Sequence, residues 1–243
     1  MSYLSQLFRR FCRWFMPFYC VICENVSDQS FMLCSYCEQD LPILTNKCLQ
    51  CASFFYVKGA AVKCGDCLKT PPSFDATYPL FKYQPPINQL IIQLKFYHQL
   101  VVAQLFGTLL VRRIQTEWYR EKPLPDVIIP VPLHQTRLKE RGFNQALEIA
   151  RPIARRLHIP LDFLGTKRIK PTLPQSQLAS HQRRQNIQDA FVSNRCYKGL
   201  SIAVVDDVMT TGETLRAFCR LLKDHGAKNI DIWCCARVNS VFY

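Results

Sequence analysis

No run of apolar residues in this 243-residue chain approaches the roughly 20 needed to span a bilayer, so a transmembrane protein is not expected. The first 19 residues lack both a long apolar core and a small-residue cleavage site, so no secretory signal is expected either. Acidic residues are scarce: 18 Asp and Glu stand against 31 Lys and Arg, a formal net charge of +13. That imbalance favours anionic partners. At 49% hydrophobic content the chain can bury a sizeable core, which argues against disorder and suits one main domain plus an appendage.

Residues 1–19 carry Arg9, Arg10 and Arg13 among Leu4, Leu7, Phe8, Phe11, Trp14, Phe15 and Phe18 at roughly helical spacing. Two readings follow: a helix docked on its own protein, or an interfacial helix on an anionic membrane.

Thirteen cysteines could signal a secreted disulfide scaffold, but eight of them form four C-x-x-C pairs between residues 20 and 67. Cys20/Cys23 precede Cys34/Cys37, and Cys48/Cys51 precede Cys64/Cys67, so each half offers four thiolates at zinc-ribbon spacing. Two structural Zn²⁺ sites are expected, with an interleaved pairing of the motifs as the alternative. Four thiolates leave no open coordination position, so these metals organise the fold and do not catalyse. Each would stabilise its segment by on the order of 10 kcal/mol. Cys12, Cys196, Cys219, Cys234 and Cys235 lack the spacing and read as small core residues. Reduced thiols and the missing export signal place the chain in the cytoplasm, with the inner membrane face as a secondary expectation.

The most informative stretch is Ile202-Ala203-Val204-Val205-Asp206-Asp207-Val208-Met209-Thr210-Thr211-Gly212-Glu213-Thr214-Leu215. An apolar strand, expected at 201–205, ends in two carboxylates and a hydroxyl-rich turn that opens a helix at 212–225. Helix-opening N–H groups lack intrahelical partners and attract anions, so Thr210, Thr211, Gly212 and Thr214 would ring a phosphate. Thr210 and Glu213 stand in capping-box register. Asp206 and Asp207 can only accept hydrogen bonds, which suits the vicinal hydroxyls of a ribose.

Val204 to Leu215 resembles the phosphoribosyl-diphosphate (PRPP) signature of type I phosphoribosyltransferases. A second stretch, Ile129-Pro130-Val131-Pro132-Leu133-His134, Arg137 and Arg141-Gly142-Phe143-Asn144-Gln145, resembles the ComF/GntX group, associated with DNA uptake by competent cells or with DNA or gluconate use. The likeness extends to the cysteine pairs, to Leu94-Lys95-Phe96, and to Thr172, Gln175, Leu178, Arg183 or Arg184, Asn186 and Ala190-Phe191. It implies an α/β type I phosphoribosyltransferase fold at residues 75–243 behind a double zinc ribbon at 20–70. It also implies PRPP with Mg²⁺ as ligand, Val131, Pro132 and Leu133 as the pyrophosphate loop, and residues 167–186 as a flexible loop.

Apolar periodicity agrees with such a domain. It predicts strands at 77–83, 126–131, 162–169 and 230–236, and helices at 87–97, 101–119 and 144–157, the last bent or broken at Pro152. A parallel sheet places ligands beyond the carboxyl ends of its strands. Residues 134–184 carry eleven Lys or Arg against three Asp or Glu. Arg137, Arg141, Arg168, Arg183 and Arg184 are candidates to stabilise a departing pyrophosphate, with Glu213 and the threonines on the 5-phosphate. Two functions of different class result. One is transfer of phosphoribosyl from PRPP to an unidentified acceptor; the other is a non-catalytic PRPP- or nucleotide-sensing module whose basic surface binds single-stranded DNA during uptake, alongside the DNA-uptake machinery.

Overall fold

Four apolar stretches form the main sheet of the computed structural model, which describes residues 17–54, 63–171 and 189–238. They are β1 (Ala76–Lys82), β2 (Val127–Pro130), β5 (Ser201–Met209) and β6 (Asn229–Arg237). Their order is β1-β6-β5-β2 and every pairing is parallel. Such strands read as unbroken apolar runs because both sheet faces are covered. On one face Ile129, Val204, Ile232 and Cys234 join Leu215, Phe218, Cys219 and Leu222 of a helix at Glu213–Asp224 in one buried cluster. The other face meets helices α4 (Leu100–Arg113) and α6 (Gln145–Leu157).

The remaining elements are α1 (Ser35–Gln39), α2 (Gly65–Lys69), α3 (Ile87–Phe96), α5 (Gln135–Arg141), and α7, the Glu213–Asp224 helix. A single π-helical turn, Ile114–Trp118, extends α4. The chain divides into two compact units, Met1–Pro42 and Ile43–Tyr243. The Met1–Pro42 unit holds the first four cysteines of the C-x-x-C pairs. The Ile43–Tyr243 unit holds the other four and the sheet.

Three local expectations are corrected. Helix α6 runs unbroken through Pro152, because the proline ring fills the space that Gly107 leaves on α4. The strand expected at 162–169 shrinks to β3 (Thr166–Arg168), paired antiparallel with β4 (Phe191–Ser193) outside the main sheet. Asp162 delays its start: its carboxylate accepts from the Gly165 N–H at 2.9 Å and the Tyr197 hydroxyl at 2.9 Å, which makes a turn of residues 162–165. Strand β5 continues to Met209, so Asp206 and Asp207 sit within it and not at its end.

A Cβ at Gly107 would lie 2.4 Å from Pro152 Cγ and 3.0 Å from the Ile149 carbonyl, neither of which can swing aside. Gly107→Ala is therefore expected to destabilise by about 1–3 kcal/mol through overpacking, despite alanine's better helix propensity. Thermal denaturation should show a lower midpoint, and Pro152→Ala in the same chain should restore part of it.

Candidate functional site

Strand β2 stops at Pro130, paired with Val205, while β5 continues through Asp206, Asp207, Val208 and Met209 beside β6. That overhang leaves one side of β5 open at the carboxyl end of the sheet, where ligands of parallel sheets bind. Asp206 Oδ1 accepts from the Asp207 N–H at 2.9 Å. Asp207 is only 3% exposed, and the Lys95 ammonium on α3 stands 2.6 Å from its carboxylate. Burial and the neighbouring Asp207 charge hold Asp206 well above the usual carboxylate range, against the pull of Lys95. Burial works against the charge of Lys95, but Asp207 and then Asp206 more than compensate and raise its pKa.

After Met209 the chain turns sharply. Gly212 adopts φ +84° and caps α7, and a Cβ there would stand 2.7 Å from Met209 Cε. The capping box expected of Thr210 and Glu213 does not form, because the cap falls two residues later. Thr211 Oγ1 instead accepts from the Glu213 N–H at 3.5 Å. Thr210 and Thr211 are exposed, and Glu213 and Thr214 are half-buried. Beneath the turn the carbonyls of Met209 and Thr210 both accept from Arg237, a side chain only 2% exposed at the end of β6.

Val131 continues the β2 ladder by donating to the Val205 carbonyl at 2.9 Å. Pro132 and Leu133 follow, half-buried, and His134 caps α5 by accepting from the Thr136 N–H at 3.3 Å. Asn144 fixes this stretch from the far side of α5. Its amide donates to the Val131 carbonyl at 3.0 Å, and its oxygen caps α6 on Ala146.

The cations converge unevenly. Arg168 is held near the overhang because His134 bridges it as a parallel strand residue; burial lowers its pKa while Asp206 opposes the fall. Arg141 lies over the Phe96 ring at 5.6 Å and donates to Gln145 at 2.7 Å, and Asp207 likewise opposes its burial. Arg137 pairs with Glu140 at 3.2 Å on the exposed face of α5. Arg183 and Arg184 lie outside the described residues, as do Thr172, Gln175, Leu178 and Asn186.

Two thiol clusters complete the inventory. Residues 144–240 match the phosphoribosyl transferase domain family, and residues 11–68 match the double zinc ribbon domain family. Competence protein F of Haemophilus influenzae is 35% identical over 228 residues, covering 92% of this chain and 98% of its own length. The DNA utilization protein YhgH of Salmonella typhi is 31% identical over 224 residues, covering 91% and 98%. The chain belongs to the ComF family. Competence protein ComFC of Bacillus subtilis shares 34% identity over 108 residues, 43% of this chain and 42% of that one.

In this ComF chain the cysteines pair in sequential order, not interleaved. The sulfurs of Cys20, Cys23, Cys34 and Cys37, and those of Cys48, Cys51, Cys64 and Cys67, each lie within 4.8 Å of one another. Two thiolates on one tetrahedral zinc stand about 3.8 Å apart, given Zn–S near 2.3 Å. Cys23 and Cys34 are separated by 3.8 Å and Cys51 and Cys64 by 3.6 Å, so both donor sets fit structural zinc. Burial resists ionisation of Cys20 and Cys48, but backbone N–H groups outweigh it and draw them down to about 6 and about 7. The second cluster belongs to the main core: Cys48, Cys51 and Cys67 are buried against the sheet and α7.

Lys95 and Arg237 were absent from the site residues expected from sequence. Lys95 had a signal in the Leu94-Lys95-Phe96 likeness, whereas Arg237 had none, since a lone basic residue closing an apolar strand has no pattern. The zinc-loaded chain is expected to hold two zinc ions, falling to one in Cys64→Ser, by atomic emission. Lys95→Met should leave Asp207 buried without its cation and destabilise the fold by about 3–5 kcal/mol in denaturant titration.

Proposed function

We propose that the overhang of β5 and the turn at Thr210–Thr214 bind PRPP with Mg²⁺, and that the protein transfers its phosphoribosyl group to a nitrogen nucleophile. The observation that carries this reading is the open edge of β5, where Asp206 and Asp207 lie two residues before a tight, hydroxyl-rich helix-opening turn. Membership of a family with a phosphoribosyl transferase domain supports it.

Thr210, Thr211, Glu213, Thr214 and the Gly212 N–H then hold the 5-phosphate, and Asp206 and Asp207 accept from the ribose hydroxyls. Mg²⁺, when bound, offsets charge on the pyrophosphate and polarises it as a leaving group. Arg168, Arg141 and Arg137, with Arg183 and Arg184 from the loop, are assigned to the pyrophosphate, and the Val131-Pro132-Leu133 stretch, through the Leu133 N–H and its neighbours, to its positioning. The C1–O bond to pyrophosphate breaks with its electron pair, and the nucleophile's lone pair forms the new bond to C1. The carboxylates stabilise the cationic sugar between those events.

The names of its relatives tie them to competence and DNA utilization, and we assign this chain to DNA uptake or use in the cytoplasm. Among the described residues no helix is long and apolar enough to cross a membrane. The domain limits we assign are 20–70 for the ribbons and 75–243 for the transferase, with 1–19 as a basic docking segment. Single-stranded DNA binding by a non-catalytic module stays a rival outcome of the same test.

Calorimetric titration with PRPP and Mg²⁺ should show binding that an Asp206→Ala/Asp207→Ala chain loses by at least about 100-fold. Salt-sensitive DNA binding that survives the double substitution, without PRPP binding, would favour the rival. The raised pKa of Asp206 adds a pH signature. The ligand needs the carboxylate, so affinity should climb with pH until Asp206 has lost its proton and stay level above. The midpoint should lie above the ordinary aspartate value of about 3.9.

A further inference from the structure

Arg237 is a buried guanidinium with neutral acceptors on all sides. Its Nε donates to the Cys51 carbonyl at 3.1 Å, one terminal nitrogen donates to Ser53 Oγ at 2.8 Å, and the other serves the carbonyls of Met209, Thr210 and Val238. Every nitrogen of the fork is used, yet no carboxylate is among the partners these bonds provide. An uncompensated charge at this depth is strongly unfavourable.

The compensating charge is close at hand in the second cysteine cluster. Four thiolates around one Zn²⁺ leave a net charge of about −2. The connection is direct: Cys51 contributes its carbonyl to Arg237, and Cys51 Sγ stands 3.2 Å from Ser53 Oγ, the hydroxyl that accepts from the same guanidinium. Towards a metal-bound thiolate that hydroxyl turns its own hydrogen, giving a chain from guanidinium to hydroxyl to sulfur to metal.

On its other side Arg237 fixes the entry to the phosphate turn. Met209 is its register partner on β5, and the Met209 and Thr210 carbonyls point inward at it, which turns the following N–H groups the other way. The turn is narrow there, since Gly212 needs its positive φ and has no space for a Cβ. Few other bonds within the described residues hold Thr210 and Thr211.

We propose that Arg237 is a positioning residue that couples the Cys48/Cys51/Cys64/Cys67 zinc site to the phosphate turn, so that the occupied site orders the turn and a bound phosphate retains the zinc. This inference deepens the PRPP reading and rests on the turn binding a phosphate. The first cluster, Cys20/Cys23/Cys34/Cys37, has no such connection assigned and serves as the comparison.

The test uses the full-length, zinc-loaded chain carrying Cys23→Ser, which leaves zinc in the second site alone. Release of that zinc to a chromogenic chelator is timed with and without saturating ribose 5-phosphate. Reciprocal coupling predicts release slowed about 5- to 100-fold by the ligand. Arg237→Lys, which keeps the charge but not the fork, should abolish the slowing and speed hydrogen exchange at the Thr210–Thr214 amides about tenfold, while exchange in β2 and α6 stays unchanged. Zinc release indifferent to ribose 5-phosphate that demonstrably binds would overturn the coupling. If neither ribose 5-phosphate nor PRPP binds, the functional reading fails instead. Amide exchange then decides alone: unchanged protection of Thr210–Thr214 in a folded Arg237→Lys chain sinks the coupling, and a loss confined to that turn sustains it.

Discussion

Two adjacent carboxylates within a buried strand repel one another and shed their hydration, and the surroundings of Asp206 and Asp207 are arranged around that penalty. Lys95 reaches from α3 to meet Asp207, while burial and the neighbouring Asp207 charge keep Asp206 above the ordinary carboxylate range.

The same logic governs the other side of the turn. Arg237 is buried with its donors spent on neutral oxygens, and the anionic metal cluster nearby supplies the balancing charge. The Thr210–Thr214 turn thus lies between the Asp207–Lys95 pair and the Arg237 guanidinium. The zinc ribbon is in this respect part of the site's foundation. Its distance from the reacting atoms does not make it an accessory.

Much of this was legible in sequence because it depends on local pattern. The parallel strands appear as apolar runs, the turn as a Thr-Thr-Gly-Glu-Thr stretch, and the metal sites as repeated C-x-x-C pairs. What escaped notice depends on three-dimensional neighbours. Pro152 reads in sequence as a bend or a break in the helix, since nothing local reveals that Gly107 waits opposite it. Strand β5 proved longer than its apolar run because pairing with β6 carries it past the two aspartates. Helix α5 has no apolar periodicity to announce it, because Gln135–Arg141 carries a single apolar residue, Leu138, and buries none. The capping box failed for a similar reason: the steric demand at Gly212 moved the cap.

The second ribbon also bears on how such a protein can be inherited. Cys48, Cys51 and Cys67 are packed into the same apolar cluster as the sheet and α7, and Gln50 exchanges hydrogen bonds with Phe74 and Thr77 at the start of β1. Recombination that separated those cysteines from the transferase would strip one face of its sheet and leave apolar surface open to aggregation. The first ribbon lies in a compact unit of its own. The second is therefore expected to be inherited with the phosphoribosyl transferase domain as one gene segment.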